Sequence, residues 1–402
     1  MEQRWEKMHK KIHSIMIFTL LFMSIWAFSI QPVRAIGTIY IRPDGSIDPS
    51  TAPISTVDNV TYIFTDDIYD SIVVERDNII VDGAGYNVQG TGAYPSKGME
   101  LSGRTNMMVR NTHIKNFYYG IWLSYSSNNS ISGNNIANNR CGIFLGASSN
   151  NSVGGNNITA NNLDGIKVSY SSNNSVGGNN ITGNNWDGIS LSYSSNNSIS
   201  GNHIENNWDG ISLDESCNNS VSGNNITGNN WDGIELCYYS KYNSISGNNI
   251  AANNYEGICV EYSSNNNITG NNITASNWCG ITLWYSSNYN GISENDIANN
   301  NRGVYLFHES SNNTVSRNTI INNENGVFLY GVSDNMFYHN NFIDNTKQVY
   351  IYTSGCANIW DNGYPSGGNY WSDYEGSDIY SGPYQNETGG DEIGDAPYVI
   401  DD

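Results

Sequence analysis

Apolar residues along this chain recur as pairs two positions apart, each pair followed by single apolar residues set among Asn, Ser and Gly. The stretch NNWDGISLSYSSNNSISGN, residues 184–202, is representative: Ile189 and Leu191 form the pair, Ile199 follows, and Ile204 completes the unit. Two-residue spacing is strand periodicity, with one side chain in and the next out. No unit shows the three-and-four spacing of a helix face. A glycine precedes each pair, at Gly98, Gly120, Gly142, Gly165, Gly188, Gly210, Gly233, Gly257, Gly280, Gly303 and Gly326, at intervals of 22 to 24 residues. Such regularity marks a solenoid built from one repeated unit.

Each unit reads as three short strands and three turns, and it cannot fold alone. Four inward apolar residues at ~2 kcal/mol each give roughly 8 kcal/mol. Ordering the backbone of one unit costs more than that, at ~1–2 kcal/mol per residue. Stacked coils recover the difference through hydrogen bonds between parallel strands at a rise of ~4.8 Å, and crossover chirality makes the winding right-handed. The predicted fold is all-β: a right-handed single-stranded parallel β-helix of about 11 to 13 coils, capped at both ends. Asn, Ser and Gly suit its turns, since Asn accepts left-handed backbone and its amide can bond to the like amide one coil away. Asn134, Asn156, Asn179 and their equivalents through Asn340 are predicted to form one inward ladder.

The flanks differ from the repeats. Residues 1–35 read as a signal peptide, with Lys7, Lys10 and Lys11, an uncharged apolar stretch from Ile15 to Ile30, and VRA at 33–35. The apolar stretch is shorter than the ~20 residues of a spanning helix. The expectation is therefore a secreted, extracellular or cell-surface protein with no membrane association after cleavage. Residues 36–97 read as an N-terminal cap with irregular first coils, 98–350 as the repeats, and 351–402 as a C-terminal cap with an acidic aromatic tail. The formal net charge is −21, and the leader carries five basic and two acidic groups, so the remainder is more acidic still. A body this acidic repels phosphate backbones and excludes nucleic acid as a partner. The six cysteines, Cys141, Cys217, Cys237, Cys259, Cys279 and Cys356, match no zinc spacing and occupy different places in the repeat.

The frame G-[IV]-x-[LV]-x-x-S-x-N-N-x-[IV]-x-x-N-x-I, from Gly120 through Gly326, together with the tail GGNYWSDYEGSDIYSGPYQNETGGDEIGDAPYVID, resembles the NosD-type family within the carbohydrate-binding and sugar-hydrolase β-helix group. The resemblance spans about residues 98–400. It implies copper delivery to a periplasmic reductase, but His113, His203, His308 and His339 fall at unmatched places in different coils, so copper is not expected. Hydrolases of the wider group carry N-T-D, D-D, G-H-G and R-I-K signatures. Only Asp66-Asp67 answers to these, in the cap, and the epimerase D-P-H is absent, with His308-Glu309 its nearest echo.

The residues before the marker glycine form the candidate binding site: Trp186 and Asp187, Trp208 and Asp209, Trp231 and Asp232, Tyr255 and Glu256, then Trp278. Stacked coils align them as a column of rings beside a column of carboxylates. Rings pack on sugar C–H faces and carboxylates accept from hydroxyls, so the expected partner is a polysaccharide or cell-surface glycan. The competing reading is an aromatic stack over a turn. Neighbouring carboxylates are also compatible with calcium, as are Asp391, Glu392 and Asp395 in the tail. The expected function is polysaccharide binding without an evident catalytic site. The alternatives are a polysaccharide lyase, epimerase or hydrolase, or a copper-maturation accessory protein.

Overall fold

The period of the inward isoleucines dictates the architecture. Ile189 lies in register with Ile211, and Ile211 with Ile234, on adjacent parallel strands. The computed structural model describes residues 37–353 and 357–400. The expected leader and Cys356 lie outside the described residues. Within them there is no helix, and the chain winds as a right-handed parallel β-solenoid of about 13 turns. No helix of the described residues is long and apolar enough to cross a membrane.

Three sheets run the length of the coil. The marker sheet has 15 strands and holds the G-I-x-L segments, such as Ile189–Ser192. A second sheet of 14 strands holds segments such as Ser198–Ser200. A third of 13 strands holds segments such as His203–Glu205. The core between them is a set of one-residue-wide stacks, and Ile189, Leu191, Ile199 and Ile204 are all fully buried. The marker glycine is required by crowding. A Cβ on Gly188 would lie 2.7 Å from the Gly210 carbonyl oxygen and 2.7 Å from Ile204 Cγ2.

The predicted Asn134-to-Asn340 ladder is present, and it is one of three. Asn156 uses its whole amide. Its Oδ1 accepts from the backbone N–H and the Nδ2 of Asn134, and its Nδ2 donates to Asn179 Oδ1 at 3.0 Å and to the Ile131 carbonyl at 2.9 Å. A second ladder runs through Asn129, Asn151 and Asn174, and a third through Asn139, Asn161 and Asn184. Serine hydroxyls make a fourth line, the Ser126 N–H donating to Ser148 Oγ and the Ser148 N–H to Ser171 Oγ. The residue before each inward Asn turns the chain with positive φ: Asn150 before Asn151, Gly155 before Asn156, Ala160 before Asn161. In the doublet of the S-x-N-N turn, as at Asn150-Asn151, the first Asn bends the backbone and the second enters the core.

Both ends of the solenoid are covered. At the N-terminal end Ile47–Asp48 pairs antiparallel with Ile39–Ile41, and Ile54–Ser55 antiparallel with Thr61–Phe64. At the other end Asn358 and Asn369 extend two of the amide ladders. The rings of Trp360 and Trp371 stack on Phe337 and Phe342 at 4.4 and 4.5 Å, and Tyr398 lies on Trp371 at 4.3 Å. Open sheet edges invite intermolecular pairing, and these elements block it.

The third ladder has one gap. Ser276 stands where an Asn would, and both Asn253 Nδ2 and Ser276 Oγ are buried without a hydrogen-bond partner. Ser276→Asn is expected to close the gap by giving Asn253 an Oδ1 acceptor, raising stability by about 1–2 kcal/mol. Denaturant unfolding of the two proteins measures the difference.

Candidate functional site

The residue before the marker glycine and the one two after it are brought side by side. Lys167 Nζ reaches Asp164 Oδ2 at 3.3 Å across this spacing. Successive coils hold these positions together: Gly188 donates its N–H to the Asp209 carbonyl, Gly210 to Asp232 and Gly233 to Glu256. Asp164, Asp187, Asp209, Asp232 and Glu256 therefore form one row with a rise of ~4.8 Å per rung. Backbone hydrogen bonds tie its later members, the Asp232 N–H donating to Asp209 Oδ1 at 2.8 Å and the Glu256 N–H to Asp232 Oδ1 at 2.9 Å.

Beside the row stand the predicted rings. Trp208 and Trp231 stack at 5.7 Å, Trp231 and Tyr255 at 4.4 Å, and Tyr255 and Trp278 at 5.4 Å, with planes within 23° of parallel. The faces are occupied by neighbouring rings and the edges meet solvent. Trp186, 55 % exposed, stands outside the stacked run. The Arg302 guanidinium lies 4.9 Å over Trp278, at the end of that run. A second ring column rises five residues after the marker glycine. Tyr170 stacks on Tyr193 at 4.8 Å and Tyr262 on Tyr285 at 5.2 Å, all four in left-handed backbone.

Between the two columns, the coils from Gly165 to Gly280 carry non-aromatic side chains two residues after the glycine: Lys167, Ser190, Ser212, Glu235, Cys259 and Thr282. Large rings take that place beyond them. Trp122 and Phe144 stack at 4.2 Å towards the N-terminus, and Tyr305 and Phe328 meet edge to face at 5.0 Å towards the C-terminus. These outward rings are half-buried or buried against one another. The result is an acidic strip about four rungs long, or roughly 19 Å, framed by aromatic side chains.

The strip is an unusual electrostatic environment. Asp209, Asp232 and Glu256 are at most 5 % exposed. Burial chiefly, and then Glu235, raise Asp209 to about 7. Burial, Glu256 and Asp209 push Asp232 well up, and burial with Asp209 and Asp164 does the same for Asp187. Glu256 is raised to about 7 by burial, although the Cys259 thiol and Thr282 hydroxyl beside it favour its charged form. Neither achieves hydrogen-bond geometry, and both Glu256 carboxylate oxygens remain without a partner. Burial and mutual repulsion thus favour the protonated form along the row, beside acceptor oxygens left without a partner.

The other predicted residues lie elsewhere. Asp391 Oδ2 accepts from the Gly382 N–H, and Asp395 Oδ1 from the Tyr380 N–H; with Glu392 they do not converge as a ligand cluster. Asp67 Oδ1 accepts from the Asn87 backbone and side chain. The histidines are dispersed: His203 beside Glu205 and Asn225, His308 stacked on Tyr285, His339 against Ser366. Glu235, Cys259, Thr282 and Arg302 belong to the site and lie outside the sequence-based set. Their signal was the two-after-glycine position for Glu235, Cys259 and Thr282, the before-glycine position for Arg302, and the register between coils.

Comparison with known proteins agrees with this architecture. The family described as Periplasmic copper-binding protein (NosD) matches residues 71–254 and 238–376. The A-module of the mannuronan C-5 epimerase AlgE4 of Azotobacter vinelandii superposes with a TM-score of 0.57 at 14% identity, over 72% of this chain and 91% of that one. The tailspike protein of Escherichia coli bacteriophage HK620, in a double-mutant form, gives 0.52 at 13% identity, over 69% of this chain and 60% of that one. The Dettilon tailspike protein gives 0.50 at 16% identity, over 72% and 62%. Among curated proteins, none matches the sequence. At these identities the likeness is one of fold.

The raised carboxylates set the pH response of the strip. A carboxyl whose folded value lies above its unfolded value of ~3.9 favours folding below that pH and loses the contribution as pH rises through the folded value. Stability is expected to fall between about pH 4 and 7. Asp209→Asn keeps an acceptor for the Asp232 N–H and removes one ionisation. It is expected to flatten that slope and to stabilise the protein at pH 8 by on the order of 2–4 kcal/mol, read from unfolding curves at pH 5 and pH 8.

Proposed function

Starting from the fact that the chain belongs to the NosD family, we propose that it binds a polysaccharide chain lengthwise along the acidic strip of the marker sheet. The observation that carries this reading is the row from Asp164 to Glu256. The amide ladders already satisfy the interior, and a line of buried carboxylates costs stability. Groups retained against that cost, with perturbed protonation, are characteristic of functional positions. The strip presents the half-buried Lys167, Asp187 and Glu235 and ring edges along both borders, over roughly 19 Å, and the buried carboxylates beneath add to its negative charge. The AlgE4 module, which has the same fold, is an epimerase of mannuronan, a polysaccharide.

Charge selects among glycans. An acidic strip on a chain of net charge −21 disfavours polyuronates and favours uncharged or amino-bearing polymers. The family description points to copper, but among the described residues the four histidines gather into no common site, so the glycan reading has the stronger physical support. A second reading, a polysaccharide-acting enzyme, draws on Asp209 and Glu256, whose values near 7 suit proton transfer.

The test is binding to immobilised neutral, amino-bearing and acidic glycans, with Trp231→Ala alongside. Retention of neutral or amino-bearing polymers, weakened about tenfold or more by the substitution, is expected. Absence of retention, or retention indifferent to Trp231→Ala, overturns the proposal. New reducing ends or unsaturated product on incubation would favour the enzyme reading instead.

A further inference from the structure

At the C-terminal end of the strip, Asp232, Glu256 and Cys259 offer one carboxylate oxygen each from the acids and Sγ from the cysteine, all within 4.8 Å of one another. We propose that these three residues bind a divalent metal ion of borderline softness, of the zinc class. The residues come from two adjacent coils. Asp232 and Glu256 are neighbours in the carboxylate row, and Cys259 follows Glu256 by the spacing that puts Lys167 beside Asp164. Their chain separation of 27 residues from first to last matches no zinc motif, which is why the cysteine spacings gave no sign of it.

The arrangement is more than a group of acids. Glu256 is fully buried and neither of its carboxylate oxygens has a hydrogen-bond partner. Thr282, in register with Cys259 on the next strand, is also fully buried, and its Oγ1 is likewise unpartnered. Buried polar atoms left unpaired cost ~1–3 kcal/mol each and call for an occupant. Three buried, unpaired oxygens beside a thiol and a second carboxylate are a set of donors with no acceptor of their electron pairs.

The donor chemistry selects the ion. Zinc takes mixed carboxylate and thiolate ligands at ~2.0–2.3 Å in a tetrahedron, and Thr282 Oγ1 or a water supplies a fourth position. Calcium and magnesium take six or more oxygen ligands, water among them, and leave a thiolate unused. Copper(I) prefers thiolate, thioether and imidazole donors, of which only one is here. Local charge assists, because Asp209 and Glu235 stand close by. The cation of Arg302, two coils on, is held over the rings of Trp278, Tyr305 and Phe328, and its charge also favours the ionised form of Glu256. On binding, the three ligands release whatever protons they carry to solvent and no redox change occurs.

The site stands independently of the glycan reading, and its test needs no glycan. The full mature chain, reduced and stripped with a chelator, is titrated anaerobically with Co2+ and then challenged with Zn2+. A thiolate-to-cobalt charge-transfer band in the near ultraviolet is expected, abolished by Zn2+ and absent in Cys259→Ser. Glu256→Gln is expected to weaken Co2+ affinity by at least the ~10–100-fold that loss of a supporting group alone causes. Cys217→Ser, at a half-exposed thiol outside the site, is expected to keep the band. No band, a band that survives Cys259→Ser, or affinity unchanged in Glu256→Gln overturns the proposal. Should either site variant fail to fold by circular dichroism, X-ray absorption of the zinc-loaded parent decides: one sulfur and several oxygen scatterers support the site, and an all-oxygen shell overturns it.

Discussion

The whole structure depends on one requirement, that a polar group buried inside a narrow solenoid must find its partner in the identical group one coil away. A primary amide meets it because it is both donor and acceptor, so a line of them closes on itself. Asn129, Asn134 and Asn139 each begin such a line, and nearly every later coil adds a member. Once that bond is adopted, much else follows. The coil length can vary only by a residue or so, the bend before each inward Asn must be left-handed, and the marker glycine must stay bare so that backbones come close enough.

The same stacking that favours amides penalises carboxylates. A carboxylate only accepts, and two in line repel unless a proton or a cation lies between them. The molecule therefore contains two kinds of column under one geometry. Inside, neutral amides reinforce one another. Outside, from Asp164 to Glu256, acids are stacked at the same rise and covered, and their protonation is driven towards neutrality by burial and by one another. Backbone N–H groups of Asp232 and Glu256 relieve part of the strain. Glu256 is where relief runs out, and the gap at Ser276 sits in the ladder just beyond it. The scaffold and the candidate site are thus distinguishable by physics alone, although they share the same strands.

Much of this was legible in the sequence. The period, the inward isoleucines and the Asn134 ladder follow from spacing, because an interior of repeated one-residue stacks leaves a repeated trace. The two further ladders were less visible. In an Asn-Asn doublet either residue can be the one that turns inward, and only the backbone at Asn128 and Asn150 shows that the first is the bend. The Trp-Asp pairs were legible as a column but not in orientation. Whether a ring shows its face or its edge depends on the next coil, and the stacking of Trp231 on Tyr255 turns faces away from solvent. The meeting of Cys259 with Asp232 was hidden because register between coils brings together residues that no local motif contains.

Since every coil rests only on the coils above and below it, the chain is also a ruler. Duplicating or deleting one whole unit would leave each amide line unbroken and change the distance between the two aromatic ends of the strip by one rise. Lineages of such proteins can therefore lengthen or shorten the surface they present without inventing a new fold, and recombination between near-identical DNA segments would supply the variation.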